Sequence, residues 1–282
     1  MMNIASHDLN ELIGCCTQFY NLDLKRHNDA SHPINILLFL IDNAITDHPE
    51  LRQINENLKQ NNFTVQLNIP ASFGGTGQPI KTWMMCDYPL TIYVSIRLNN
   101  NIVAPEHSNA IKEIMNRAEF NGWRCTGKDN IGKFRGPGKK EDECPIATLN
   151  VLKLLSLTDE TDYTHLKEIG INSLLNLWKA RTSRKPYLFG MGTDFKKIKY
   201  PMIWYDILNV VDVLSRFKSA ISTNEFKEMY AIVHKKIETN NFVPESVFQF
   251  WKLYDFGQKK NNSIYLEKAI RKIEQRIRLK ND

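Results

Sequence analysis

No apolar run in this 282-residue chain approaches the length of a membrane helix. The longest, Ile36–Ile41, is far short of the ~20 residues that span a bilayer. Residues Met1–Leu12 carry neither the basic stretch nor the apolar segment of a secretory signal. Cysteine is scarce and odd in number, five in all, with no spacing that resembles a disulfide framework, so a cytoplasmic, reducing setting is the expectation. Gly-x-Ser-x-Gly is absent, and no two histidines stand four apart on a helix; nucleophilic serine chemistry and a helical His–His metal pair lose their usual signatures. Strand-like alternation is confined to about five residues, Val65–Ile69. Charge of one sign is also in short supply. The excess of 37 basic over 31 acidic residues gives +6, too mild on its own to imply nucleic acid.

What the chain does have is a period. Pro33, Pro89, Pro145 and Pro201 stand at equal intervals of 56 residues, and each opens an apolar segment of helical length. Proline suits the first helical turn, where its missing N–H is not needed and its φ is already set. A more charged, amphipathic segment follows each one. These begin near Pro49, Pro105, Thr161 and Thr223, with capping residues or first-turn acids. The proline-led segments are apolar nearly all round and should be buried; their partners should lie outside them. An extra helix is expected over 7–24. A fifth pair is expected from Val243–Phe256 and 262–279.

The expectation is therefore an all-α single domain over 1–282. Its repeats lie near 33–88, 89–144, 145–200, 201–243 and 244–280, about five pairs of inner and outer helices. Long loops, 68–88, 126–144 and 183–200, enter the same end of the inner helices. Connections of this length are uncommon unless functional or disordered. They carry Lys81, then Lys133, Arg135, Lys139 and Lys140, then Lys196, Lys197 and Lys199. A basic rim of this kind favours an anionic ligand. The alternative is a solvated rim balanced by Asp129, Glu141, Asp142, Glu143 and Asp194. The loop and helix start at 187–206 are dense in aromatics and glycines, with Gly190 and Gly192 able to turn sharply or let a partner approach. Trp204, Tyr205 and Trp251 are candidate cavity aromatics, with core packing as the competing role.

Trp123-Arg124-Cys125, the basic Gly-rich loop after it and Asp142-Glu143-Cys144-Pro145-Ile146-Ala147-Thr148 resemble one repeat of the prenyltransferase and squalene-cyclase superfamily. The resemblance runs from about Pro33 to Phe256 and is clearest over 121–217. It implies an (α/α) toroid, inner helices ringing a central cavity. The protein prenyltransferase β subunits offer the nearest comparison. There a basic pair binds the isoprenoid diphosphate, and an Asp-x-Cys with a later His binds zinc. The matching positions are Arg135, Lys139, Asp142 and Cys144. The His has no counterpart between Pro201 and Phe217, where Asp206 is the nearest potential ligand. The Asp-x-Asp-Asp of the cyclases and the Asp-Asp-x-x-Asp of the terpene synthases are also missing.

The resemblance thus implies a prenyltransferase-like protein that binds an anion of isoprenoid-diphosphate type in a central cavity. Arg135, Lys139, Lys140 and Lys196 would hold the anion. Asp142, Cys144 and Asp206 are the acid/base candidates, with Asp142 and Cys144 as zinc ligands. The bland alternative makes Asp142 a helix-terminal acid and Cys144 a small buried residue. Two other functions stay open: a non-catalytic toroid that binds a protein or peptide, and a nucleic-acid binder that uses the basic rim.

Overall fold

The computed structural model describes residues 4–17, 30–134, 136, 138, 139 and 141–281. These residues are mainly helical. They form two compact units, Met1–Ala118 with Arg124–Pro137, and Glu119–Trp123 with Gly138–Asp282.

The first unit holds five helices: α1 (Ser6–Cys16), α2 (Pro33–Asp42), α3 (Pro49–Gln60), α4 (Tyr88–Leu98) and α5 (Pro105–Met115). Pro33 opens α2, and Pro89 is the second residue of α4. Both helices are buried on all sides, from Pro33 to Ile41 and from Tyr88 to Ile96, and they pack on each other. The amphipathic α3 and α5 each pack against α4. One buried polar cluster ties three of these helices together. The Ser95 hydroxyl donates to Asn55 Oδ1 (2.6 Å) and lies 2.9 Å from His107 Nε2. His107 Nδ1 accepts the Ala104 N–H (2.9 Å), which leaves the ring proton on Nε2. Burial lowers the His107 pKa, so it is a neutral structural histidine. The expected strand is β1 (Val65–Asn68), and it pairs in antiparallel register with β2 (Pro79–Thr82), from Val65↔Thr82 to Asn68↔Pro79.

The second unit holds α6 (Pro145–Leu155), α7 (Thr164–Lys179), α8 (Ile207–Leu214), the short α9 (Lys218–Ile221), α10 (Asn224–Asn240) and α11 (Ile264–Asn281). Every residue of α6 and α8 is buried, and the two pack side by side. Amphipathic α7 packs on α6, and α10 on both α8 and α7. The Thr223 hydroxyl caps α10 by accepting the Phe226 N–H (3.3 Å).

Two elements differ from the sequence expectation. Pro201 does not open a helix; it follows a cis peptide bond, and α8 begins only at Ile207. Backbone donors around it go to tertiary acceptors instead: Tyr200 N–H to Ser246 (3.4 Å) and Ile207 N–H to Phe195 (2.9 Å). Asp206 then caps the delayed start by accepting the Asn209 N–H (3.0 Å). The expected helix over 243–256 is replaced by two 3-10 turns, Phe250–Leu253 and Asp255–Gly257. At Gly257 a Cβ would lie 1.9 Å from the Trp251 carbonyl oxygen, so this closely folded turn admits only glycine.

Candidate functional site

The second unit contains a pocket of about 700 Å³ at the C-terminal end of α7. Arg181, Lys185, Lys196 and Lys199 line it, with Asp194 as the one carboxylate. Its apolar wall is a cluster of rings. Phe189 lies 5.6 Å from Trp204 and 5.4 Å, edge-on, from Tyr205. Phe195 lies 5.2 Å from Tyr205.

Local packing positions the cations. Trp178, near the end of α7, is fully buried and donates its indole N–H to Glu228 (2.9 Å). The Arg181 guanidinium lies 4.3 Å from its ring centre and the Lys196 ammonium 5.8 Å, so one fixed indole draws two cations to one wall. Lys199 donates to Asp194 (2.6 Å) and Lys197 to the same carboxylate (3.2 Å). These bonds, the Lys199 bond first, hold the Asp194 carboxyl below its ordinary range. Gly192 meets nothing within 4 Å of an added Cβ. It keeps the wall low rather than permitting close backbone contact.

Of the residues singled out in the sequence, Gly190, Gly192, Asp194, Lys196, Lys199, Trp204 and Tyr205 line this pocket. Arg135 and Lys140 lie outside the described residues. Lys139 is exposed, and its N–H donates to Asp142 Oδ2 (3.0 Å) in a tight turn before α6. Trp251 is fully buried and packs 5.1 Å from Phe250, 5.8 Å from Tyr254 and 6.0 Å from Phe256, which is a core position. Arg181 and Lys185 escaped the sequence reading. Their signal was the basic stretch Arg181-Thr-Ser-Arg184-Lys185 at the junction of the outer helix and the 183–200 loop.

The acid/base candidates are dispersed. Asp142 sits 3.5 Å from Arg184. Cys144 is buried at the N-terminus of α6, where its N–H donates to the Trp123 carbonyl (2.7 Å). Asp206 is fully buried at the cap of α8. Burial pushes its carboxyl up to about 7 against the opposing Asn209 hydrogen bond. Its Oδ2 has no hydrogen-bond partner among the described residues. The Tyr205 hydroxyl is likewise buried and unpartnered among the described residues. Its pKa is raised by burial, then by the charges of Glu143 and Cys144. Among the described residues no three of His, Cys, Asp and Glu stand close enough to share a metal ion. The Asp142, Cys144 and Asp206 side chains therefore form no such three-donor group.

No helix among the described residues is long and apolar enough to cross a membrane. Compared with protein-family models, with curated proteins and with solved structures, the chain matches none.

Proposed function

We propose that the second unit binds an amphipathic organic anion of the isoprenoid-diphosphate class, and that the helix pairs follow an (α/α) toroid plan like that of the prenyltransferases. Adjacent apolar helices, α2 with α4 and α6 with α8, backed by amphipathic ones, support the plan. One observation carries the ligand class: four cationic side chains and a single carboxylate line a pocket walled by Phe189, Trp204 and Tyr205. The cations suit a diphosphate, and the rings suit an unsaturated apolar tail. The pocket volume of about 700 Å³ is within the ~300–1,000 Å³ range of small-molecule sites.

What these residues do is bind and orient. Arg181 and Lys196, held against Trp178, present fixed charges to the phosphate oxygens, and Lys185 adds a third from the following loop. Asp194 holds Lys199 in place.

Titration calorimetry with farnesyl diphosphate tests this. Lys185→Ala with Lys196→Ala removes two exposed or half-exposed charges and leaves the ring wall intact. Binding should weaken by about 100-fold, from ~1.4 kcal/mol lost per phosphate contact. Unchanged binding in the double variant overturns the assignment.

A further inference from the structure

The second unit carries another cavity, of about 600 Å³, whose chemistry is opposite in sign. One wall is a stripe of α7. His165, Glu168, Ile169, Asn172, Ser173 and Asn176 recur at the three- and four-residue spacing of one helix face. The facing wall is Glu141-Asp142-Glu143 with the turn at Phe120-Asn121. Arg184 is the one Lys or Arg side chain among its lining residues, against four carboxylates. That arginine is already committed. Its two terminal nitrogens donate to the Glu143 oxygens at 2.7 and 2.5 Å. The Glu143 carboxylate is 1% exposed and also accepts from Asn121 Nδ2 (3.0 Å). Glu168 adds a carboxylate from the α7 wall. Glu168 is placed by the Ser219 hydroxyl, which donates to it (2.6 Å).

Two independent features point to a ligand. First, Ser173 is only 5% exposed, and its hydroxyl has no hydrogen-bond partner among the described residues; Asn121 Oδ1, from the same lining, has none either. Buried polar atoms are almost always paired, so a wall with an unmatched hydroxyl and an unmatched amide oxygen, both able to accept, leaves places for a ligand's donors. Second, Phe120 is 79% exposed on a turn that cannot collapse to hide it. Glu119 and Gly122 exchange both backbone hydrogen bonds (2.8 and 3.2 Å). Trp123 N–H is fixed on the Thr148 hydroxyl (3.2 Å). Gly122 has φ +123°, and a Cβ there would lie 2.7 Å from that hydroxyl oxygen, so the turn is seated tightly. A rigidly displayed aromatic ring at the rim of an acidic pocket is the arrangement that receives a cation on its face.

We infer that this cavity binds the guanidinium or ammonium group of an arginine- or lysine-type side chain, with Phe120 over the cation, Ile169 along its stem, and Glu141, Glu168, Asn121 and Ser173 accepting its N–H donors. The site is separate from the anion pocket and does not depend on it. The same cation can arrive as a free amine or within a basic peptide segment, and the test separates the two.

The probes are argininamide and the blocked tripeptide acetyl-Gly-Arg-Gly-amide, titrated against the full chain at low and at 0.5 M salt. Saturable one-to-one binding that weakens in salt is expected. Phe120→Ala and Glu168→Gln should each weaken it about fivefold, while Lys196→Ala, in the anion pocket, changes it less than twofold. Ser173→Ala, which removes a hydroxyl with no hydrogen-bond partner among the described residues, should also weaken it without lowering the melting temperature. Tighter binding of the tripeptide than of argininamide assigns the site to a peptide, and equal binding assigns it to a free cation. Absence of saturable binding by either probe, or binding indifferent to both Phe120→Ala and Glu168→Gln, overturns the inference.

Discussion

Replacing Asp212 by alanine is expected to destabilise the protein by about 3 kcal/mol, the lower end of the 3–5 kcal/mol for breaking a buried ion pair. In a unit of this size that lowers the melting temperature by roughly 6–12 °C. Asp212 lies in α8, 3% exposed, between two arginines. Arg216 donates to its Oδ2 (2.8 Å) and Arg276 of α11 to its Oδ1 (3.0 Å). Arg276 also donates to the Asp212 carbonyl (2.9 Å) and to the Ser215 hydroxyl (2.7 Å), which keeps the loss at the lower end. Without the carboxylate, two guanidiniums face each other near the buried Lys153. Burial alone would raise the Asp212 carboxyl, but the Arg216 and Arg276 charges outweigh it and hold the group well below the ordinary carboxylate range. A depressed carboxylate contributes its stability above the unfolded pKa of about 4 and loses it as the pH falls through the folded value. The wild type should therefore weaken below pH 4, while Asp212→Ala should show a shallower decline. Thermal unfolding from pH 7 to pH 2 measures both. A variant within about 0.5 kcal/mol of wild type at pH 7 would show that the arginines are satisfied without it.

The second large effect has the opposite sign. Asp206→Asn is expected to stabilise the protein by up to about 4 kcal/mol at pH 8 and by only about 1.6 kcal/mol at pH 5. The Asp206 carboxyl rises from 3.8 to about 7 on folding, through burial, and each tenfold in that equilibrium is worth about 1.4 kcal/mol. Between those values the native state holds a proton that the unfolded chain releases, so stability falls as the pH rises through this window. Asparagine mimics the protonated acid, and its carbonyl can still accept the Asn209 N–H that caps α8. Urea unfolding at pH 5 and pH 8 checks this. An equal difference from wild type at both pH values would mean that Asp206 does not titrate on folding.

Part of this architecture was legible from proline spacing, and the failures have identifiable causes. Pro33 and Pro145 open α2 and α6, and Pro89 lies in the first turn of α4, because each begins an apolar run whose backbone has no better partner than its own helix. Pro201 keeps the spacing but not the helix. The acceptors that divert its neighbours, Phe195 and Ser246, are tertiary and leave no local trace. The apolar content of 247–256 reads as helical, yet the chain there turns through i→i+3 bonds, Trp251 to Phe248 and Tyr254 to Trp251 (3.1 and 3.2 Å). The candidate site shows the same divide. Lys196, Trp204 and Tyr205 could be picked out from their neighbours in sequence. Arg181 joins them through its contact with Trp178 at the end of α7, and Lys185 through the course of the loop that follows. Spacing could not reveal that the Asp142, Cys144 and Asp206 side chains fail to form a three-donor group.

The central claim is that the cations and rings at the end of α7 bind one amphipathic anion together. Titration of the full chain with farnesyl diphosphate, inorganic pyrophosphate and farnesol under identical conditions tests it most directly. The account predicts that farnesyl diphosphate binds at least about tenfold more tightly than either pyrophosphate or farnesol, since burial of even part of the tail is worth more than ~1.4 kcal/mol. Pyrophosphate binding equal to that of farnesyl diphosphate, or no saturable binding of farnesyl diphosphate at all, would contradict it.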